Sequence, residues 1–215
     1  NYLGFHQADY VKYVIEKFNL QDAKPKDTPL PPNLKLGRPD WCKDKELSDS
    51  VKREYQQLVG CISYMATWCW NILSYAASTL GRVLANPHPK HITLAKHVLL
   101  YCKKNPYMGI QYGPPQSLEH MSIEQKTLMG IQDRQWSHAI NQIEIESDAS
   151  FASESEYKSQ TGFVMYFNGA PIHWSSTQQE ITALSSSESE IMAGATSIRN
   201  ALHMRDLCNE LGFEQ

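Results

Sequence analysis

Hydrophobic residues in the first part of the chain recur every three or four positions, which is the period of a helix. Over residues 7–20 this pattern predicts an amphipathic helix whose apolar face consists of Tyr10, Val11, Val14, Ile15 and Phe18. Residues 24–32 contain four prolines. Because proline lacks an amide donor and disfavours helix in the residue before it, we expect an extended connector there.

The helical period returns between Val51 and Leu84 and predicts two helices. The first should begin near Asp49 or Ser50, either of which could cap it, and the break should fall in residues 69–71. This segment is unusually aromatic. Its aromatic residues could stack on nucleic-acid bases, although aromatic residues at helical spacing more often belong to a core; they include Tyr55, Tyr64, Trp68, Trp70 and Tyr75.

A third helix is predicted after residues 86–87, with an apolar face of Ile92, Ala95, Leu99 and Cys102. Lysines occupy other positions of this helix, and they could contact phosphates or simply form a solvated face; they are Lys90, Lys96, Lys103 and Lys104. Two interpretations of this basic helix therefore stay open.

The hydrophobic period changes to two in the last third of the chain. Alternation over residues 143–148, 163–167 and 171–175 predicts three antiparallel strands, with a tight hairpin turn at Asn168-Gly169. From Ser186 to Leu211 the pattern is helical again, and Gly212 can end the helix. We expect its apolar face to consist of Ile191, Ala195, Ile198, Leu202 and Leu207.

Composition sets limits on this picture. The chain has 215 residues, 41% of them hydrophobic, which is enough for one medium domain or two small ones. We expect an intracellular protein without a membrane-spanning segment, because the apolar stretches are short and the N-terminus lacks signal-peptide features. The five cysteines form no CxxC pair and predict buried or half-buried thiols rather than disulfides or a zinc site.

Charge is distributed unevenly along the chain. Residues 1–116 carry a net charge of +6, whereas residues 117–215 carry −9. A basic segment that binds a polyanion, joined to an acidic segment that binds metal ions, would show this asymmetry, and so could two ordinary domains. Residues 117–142 are polar without a clear period, and we place a linker there between domains 1–116 and 143–215.

Three carboxylates of the acidic half are candidates for chemistry. Hydrolysis of a phosphodiester needs several carboxylates around hard cations such as Mg²⁺. Asp148 follows the alternating isoleucines of the first predicted strand, and Glu188 and Glu190 lie at the start of the predicted helix. The sequence Ser185-Ser186-Ser187-Glu188 fits a capping box, which gives Glu188 a structural role. Glu190 lies about 200° further round the helix and is, with Asp148, the predicted metal ligand.

Three motifs in close succession carry a family resemblance: SDASFAS, KSQTGFVMYFNGAPIHWSSTQQ and TALSSSESEIMAG. They resemble the ribonuclease H domain of copia-type LTR retrotransposon polyproteins. Four earlier segments resemble the region that connects the reverse-transcriptase palm to ribonuclease H in the same polyproteins: HQADYVKYVIEKF, DAKPKDTPLPPNLKL, YQQLVGCISYMA and HITLAKHVLLYCKKNPYMGIQY. Together these segments extend over essentially the whole chain.

The resemblance implies an α/β fold with a mostly helical connecting region in residues 1–116, including the proline-rich stretch 24–32. A partial ribonuclease H-like fold of three antiparallel strands and one long helix should follow in residues 143–215. It implies hydrolysis of the RNA strand of RNA·DNA hybrids with two Mg²⁺ or Mn²⁺ ions. Asp148 and Glu190 match the family's first and second catalytic carboxylates. The implied partners are the hybrid and the rest of the Pol polyprotein, in a cytoplasmic particle or the nucleus.

The chain also departs from the family pattern. The family's third carboxylate lies in a D-N-x-x-A strand after the long helix and a fourth lies beyond it, so this sequence supplies two of four, and we expect weak or no activity from it. The Y-x-D-D polymerase motif is absent, which excludes polymerase activity. Residues 68–71 read Trp-Cys-Trp-Asn where the family has arginine-proline-aspartate. A degenerate or host-retained module that binds nucleic acid or protein without cutting is the alternative, and an unrelated structural α/β protein is a third.

Overall fold

The computed structural model describes residues 3–32, 34, 47–112, 141–151 and 157–214. The chain divides into two compact units, one of residues 5–109 and one of residues 110–215 with residues 1–4. Most of the predicted linker 117–142, and Cys42, lie outside the described residues. The predicted α/β class is confirmed at the level of helices combined with two small sheets. Within the described ranges, none of the helices combines the length and apolarity that a membrane crossing needs.

The first unit is helical. It contains α1 (Ala8–Lys17), α2 (Asp49–Trp68), a 3-10 turn (Asn71–Leu73), α3 (Ser74–Gly81) and α4 (Pro89–Lys104). The predicted break between two helices is confirmed at Cys69 and Trp70. The predicted cap of α2 is wrong by one residue, because Ser48 takes the extended N-cap conformation and its hydroxyl contacts that of Ser50 rather than a helix amide.

Helices α1 to α4 enclose one apolar core. Two of the aromatic residues of the second helical segment belong to it. Trp70 is fully buried and meets the ring of Tyr101 edge-on at 6.3 Å, and the hydroxyl of Tyr55 donates to the carbonyl of Leu80 at 2.7 Å. Three others are exposed instead: Tyr64, Trp68 and Tyr75. The assignment of aromatic residues to the core is therefore right for two of these five and wrong for three.

The proline-rich connector contains no helix or strand, as predicted. It packs along α4 through backbone contacts. The amide of Lys26 donates to the carbonyl of Leu100 at 3.3 Å, and Nε2 of His97 lies 3.0 Å from the carbonyl oxygen of Thr28. These bonds replace the regular backbone pairing that the prolines prevent.

Two histidines cap the N-terminus of α4. Nδ1 of His88 accepts from the amide of Lys90 at 3.2 Å, and Nδ1 of His91 accepts from the amide of His88 at 2.9 Å. Burial, together with the nearby His88, lowers the pKa of His91 from its ordinary 6.5 to about 4. The cap therefore depends on a neutral imidazole.

We expect the first unit to lose stability as the pH falls from about 6.5 to about 4. In that window the unfolded chain binds a proton at His91 and the native chain does not, so acid favours unfolding. Urea unfolding across this pH range should show a steeper fall in the midpoint for the wild-type chain than for His91→Leu. Equal falls in both proteins would show that His91 does not carry the effect.

A two-stranded sheet of β1 (Leu3–His6) and β2 (Gly109–Tyr112) was not predicted from the sequence. Each strand has four residues and β1 is exposed throughout. Leu3 and Phe5 alternate with Gly4 and His6, and Ile110 and Tyr112 alternate with Gly109 and Gln111, but two apolar residues in each strand are a weak signal. Gly109 makes this pairing possible, because a Cβ at this position would overlap the carbonyl of Phe5.

We therefore expect Gly109→Ala to destabilise the first unit by about 1–3 kcal/mol, the usual cost of forcing an atom into a filled space. The matched control is Gly60→Ala, since Gly60 lies inside α2 with nothing within 4 Å of an added Cβ. This second change should stabilise the protein by about 0.5–1 kcal/mol through helix propensity. Urea unfolding of both variants checks the pair, and equal effects would contradict the close approach at Gly109.

The second unit contains β3 (Ile143–Ser150), β4 (Gln160–Phe167), β5 (Ala170–Gln178) and α5 (Ser186–Glu210). The three strands pair antiparallel in the order β3-β4-β5. The turn between β4 and β5 has positive φ at Asn168 (48°) and Gly169 (79°), as a tight hairpin requires. The three strands, the turn and the long helix are all confirmed, and Gly212 ends the helix with φ of 87°.

The predicted apolar face of α5 is wrong. Ile191 is 71% exposed, and Ile198, Leu202 and Leu207 are also exposed. Helix α5 packs against β3 and β4, and its buried positions are instead Ser189, Ala193, Ser197 and Cys208.

The physical reason is the small size of these buried side chains, which allows the helix backbone to approach the sheet. The buried hydroxyls are satisfied within the helix, because Ser189 donates to the carbonyl of Ser186 at 2.7 Å and Ser197 donates to that of Gly194 at 2.8 Å. A count of apolar residues cannot identify such a face.

The prediction of buried thiols is confirmed for the four cysteines within the described residues, which are free and buried: Cys61, Cys69, Cys102 and Cys208.

Candidate functional site

Asp148 lies in β3, where it is exposed and pairs with Gly162 of β4. In an antiparallel pair, directly opposite residues lie on the same face of the sheet. The neighbour of Asp148 on this face therefore has no side chain, and a Cβ added to Gly162 would lie 4.0 Å from the carbonyl oxygen of Asp148. Asp148 thus stands on a strand surface that is open to a ligand.

The start of α5 is fixed by a cap similar to the one predicted. Ser185 is the N-cap residue, and its hydroxyl accepts from the amide of Glu188 at 3.1 Å. In return, the carboxylate of Glu188 accepts from the amide of Leu184 at 2.6 Å, one residue before the expected amide of Ser185. Glu188 therefore has the structural role that the sequence indicated.

Glu190 lies two residues after Glu188 and is exposed. It follows Ser189, which is fully buried against the sheet. Since adjacent helix positions are about 100° apart, Glu190 lies at the edge of the buried stripe of α5. Asp148 and Glu190 thus belong to two elements that pack against each other, β3 and α5, and both carboxylates are exposed to solvent.

A glutamine to which no sequence motif assigns a role positions this helix. The side-chain amide of Gln179 is buried and donates to the carbonyl of Ser189 at 2.9 Å and to the hydroxyl of Thr161 at 3.0 Å. Its backbone amide donates to the carbonyl of Ser159 at 2.8 Å. Gln179 therefore ties the first turn of α5 to β4. The sequence gives only a weak indication of this role, because a glutamine directly after a strand is common at protein surfaces.

The donor set of the site can be compared with what Mg²⁺ needs. Asp148 and Glu190 both offer hard carboxylate oxygens, which is the donor type that Mg²⁺ and Mn²⁺ bind. Among the described residues, no three His, Cys, Asp or Glu side chains come together in a way that could hold a metal ion. Asp148 and Glu190 therefore offer two ligands of the donor type that Mg²⁺ binds, and a magnesium site here would need water or further ligands besides them.

Lysines of α4 make polar contacts inside the first unit. The ammonium group of Lys103 donates to the carbonyls of Leu20 at 3.2 Å and Ala23 at 2.9 Å, and also to that of Gln21. Lys96 forms an ion pair with Glu54 at 2.9 Å.

Lys104 forms an ion pair with Asp27 and lowers the pKa of that carboxyl group. These lysines contact the connector, the residues before it and α2, and Lys96 and Lys104 remain partly exposed, so both interpretations of this basic helix stay open.

Comparison with known proteins identifies relatives over almost the full length of the chain. It is 27% identical over 216 residues to the "Retrovirus-related Pol polyprotein from transposon TNT 1-94" of Nicotiana tabacum, covering 99% of this chain and 14% of that protein. It is 28% identical over 213 residues to the "Retrovirus-related Pol polyprotein from transposon RE1" of Arabidopsis thaliana, covering 98% of this chain and 13% of that protein.

A yeast relative matches as well. The "Transposon Ty1-GR3 Gag-Pol polyprotein" of Saccharomyces cerevisiae is 27% identical over 221 residues, covering 97% of this chain and 12% of that protein. No protein-family model and no solved structure matches the chain. The chain spans about one seventh of the length of these two plant polyproteins. It is therefore similar, over nearly all its residues, to a short part of the retrovirus-related Pol polyproteins of plant and yeast transposons.

Proposed function

We propose that the chain is a piece of a retrotransposon Pol polyprotein and that residues 143–214 form the first part of a ribonuclease H unit. The reaction is hydrolysis of the RNA strand of an RNA·DNA hybrid. One observation carries the proposal: three antiparallel strands are followed by a helix that packs on the first of them, with Asp148 on that strand and Glu190 near the start of that helix. The resemblance places the first two catalytic carboxylates in the same order.

Asp148 and Glu190 would hold a divalent metal ion, Mg²⁺ or Mn²⁺, through their carboxylate oxygens. Held there, such an ion would supply Lewis-acid stabilisation of the phosphodiester oxygens and activation of water. Two carboxylates bind such ions weakly, so strong activity requires the further carboxylates that the resemblance places downstream of α5.

Other residues of the second unit fix the position of α5 and leave space beside Asp148. Gln179 holds the first turn of α5 against β4, and the cap formed by Ser185 and Glu188 fixes where the helix begins. Both contacts lie within two turns of Glu190 and restrain its position relative to β3. Gly162 leaves the strand surface beside Asp148 without a side chain, so a sugar-phosphate backbone can approach the carboxylate.

The proposed substrate is recognised by shape rather than by base sequence. Double-stranded nucleic acids with A-like geometry are distinguished through phosphates and 2′-hydroxyl groups, so we expect no sequence preference. The net charge of +6 on residues 1–116 supports a polyanionic partner. Our proposal gives the chain two kinds of partner, the hybrid and the remaining segments of the Pol polyprotein.

Cleavage of a labelled RNA·DNA hybrid in Mg²⁺ or Mn²⁺ tests the proposal. We would compare this chain with a version extended at its C-terminus by the corresponding downstream segment of the TNT 1-94 polyprotein. The expected result is weak or absent cleavage by the chain itself and clear cleavage by the extended version. If the extended version folds but does not cut, the proposal fails, and a module that binds without cutting replaces it.

A further inference from the structure

Four aromatic residues of the first unit form a continuous row across α1 and α2. Tyr13 and Tyr10 lie on α1, and Tyr64 and Trp68 lie on α2. Neighbouring ring centroids are 6.1 Å apart for Tyr13 and Tyr10, 4.8 Å for Tyr10 and Tyr64, and 6.3 Å for Tyr64 and Trp68. We call this set the aromatic row.

The aromatic row is a surface and not part of the core. Trp68 is 63% exposed, Tyr13 is 55% exposed and Tyr64 is 47% exposed, whereas Tyr10 lies half-buried between them. A tryptophan two residues later, Trp70, is fully buried. Contiguous exposed apolar surface of this kind marks a site of interaction.

A cation stands at one end of the row. The ammonium group of Lys17 lies 6.0 Å from the ring centroid of Tyr13 and 5.5 Å from that of Phe18. Lys17 and Phe18 also line a cavity of about 510 Å³, together with Lys96 and Glu54, which pair with each other. The cavity gives a phosphate group room beside Lys17.

This combination of features selects one class of ligand. Aromatic faces next to a cation match the bases and phosphates of a nucleic-acid strand, and the net charge of +6 on residues 1–116 attracts a polyanion. The bases must be unstacked to meet the rings, which a duplex does not allow.

We propose that the aromatic row binds single-stranded nucleic acid, with bases stacking on Tyr13, Tyr64 and Trp68 and a phosphate contacting Lys17. This site lies in the first unit and uses neither Asp148 nor Glu190, so it does not depend on the proposed hydrolysis. Its ligand is also different, since the proposed ribonuclease H substrate is a duplex.

Fluorescence anisotropy with a labelled strand of about 20 nucleotides tests the proposal on the full chain at about 50 mM salt, where phosphate contacts are strong. Mixed-sequence DNA and RNA strands serve as probes, and the blunt DNA duplex of the same sequence is the comparison. We expect tighter binding of both strands than of the duplex. We also expect Trp68→Ala and Tyr64→Ala each to weaken binding by about 5-fold to 100-fold, the range measured for stacking residues.

Three further variants separate stacking from general effects. Trp68→Phe keeps an aromatic face and should bind within about 3-fold of the wild-type chain. Tyr107→Ala removes a tyrosine that is 71% exposed outside the row and should change nothing. Lys17→Gln should reduce the slope of log affinity against log salt by about 0.7, the value for one phosphate contact on a single strand.

The proposal is overturned if the duplex binds as tightly as the strands, or if the row variants behave like Tyr107→Ala. It is also overturned if Trp68→Ala abolishes self-association in sedimentation while strand binding is unchanged, because the row would then contact protein. Circular dichroism and urea midpoints matching the wild-type chain establish that each variant is folded.

Discussion

In the extended chain, Asp148→Asn is expected to lower the rate of hybrid cleavage by at least about 100-fold, since losing a metal ligand costs no less than losing the groups that orient one. The amide keeps the size of the side chain but removes the negative charge that binds the cation. Asp148 is exposed on β3, so the substitution should leave the free energy of unfolding within about 0.5 kcal/mol of the wild-type value. The loss should therefore appear in the rate alone.

The matched control is Glu146→Gln. Glu146 is exposed on the same strand and, two residues before Asp148, lies on the same face of the sheet. The Glu146→Gln variant loses the same charge as Asp148→Asn at nearly the same place. It therefore measures any general electrostatic effect on hybrid binding. Equal losses in the two variants would remove Asp148 from the reaction, whereas a loss confined to Asp148→Asn supports its role as a ligand.

Trp70→Ala is expected to destabilise the first unit by about 3–5 kcal/mol, the usual cost of truncating a buried tryptophan. Its ring is fully buried and meets Tyr101 edge-on, so the substitution opens a large cavity between α2 and α4. This loss is a large fraction of the stability of an ordinary domain. Urea unfolding followed by far-UV circular dichroism measures it, because this unit holds most of the helices of the described chain.

Trp68→Ala is the control for this stability measurement. Trp68 lies two residues away and is 63% exposed, so we expect a change within about 0.5 kcal/mol. If Trp70→Ala and Trp68→Ala lowered the free energy of unfolding by similar amounts, the orientation of the segment between α2 and α3 would be contradicted. The opposite order, with Trp68→Ala the more damaging, would mean that Trp68 and not Trp70 occupies the core.

This tryptophan pair shows what the sequence could and could not predict. Periodicity located α2, the break after it and the following helix, because the positions of apolar residues determine which elements form. It could not assign each aromatic ring to the core or to the surface. A residue beside a helix break no longer follows the helical period, and its burial depends on the path of the chain through the break.

The prediction of the buried face of α5 was wrong for a different reason. Its existence and its cap were predictable, since the Ser-x-x-Glu sequence and the helical period are local signals. Its buried face was not, because the sheet selects small residues for close packing and leaves Ile191 and Ile198 exposed. The buried face is determined by the small volume of its side chains and by the hydrogen bonds of its serine hydroxyls. Neither property is part of a hydrophobic pattern.

The sequence identifies Asp148 and Glu190 as candidate ligands, and their role in binding a metal ion stays a prediction. Asp148 and Glu190 were identified from their neighbours and from the resemblance, and they lie in elements that pack together. The anchor formed by Gln179 was missed, because its partners Thr161 and Ser189 are brought near it only by the fold. A bond of this kind has no signature along the chain.

The central claim is that Asp148 and Glu190 together bind one divalent cation, and paramagnetic broadening by Mn²⁺ tests it most directly. We would record amide NMR spectra of the chain during addition of Mn²⁺, reverse the effect with a chelator, and repeat the series with Asp148→Asn. We predict that amides next to Asp148 in β3 and next to Glu190 in α5 broaden together, and that Asp148→Asn abolishes both effects. Broadening at only one of the two elements, or broadening at α5 that survives Asp148→Asn, would contradict the shared site.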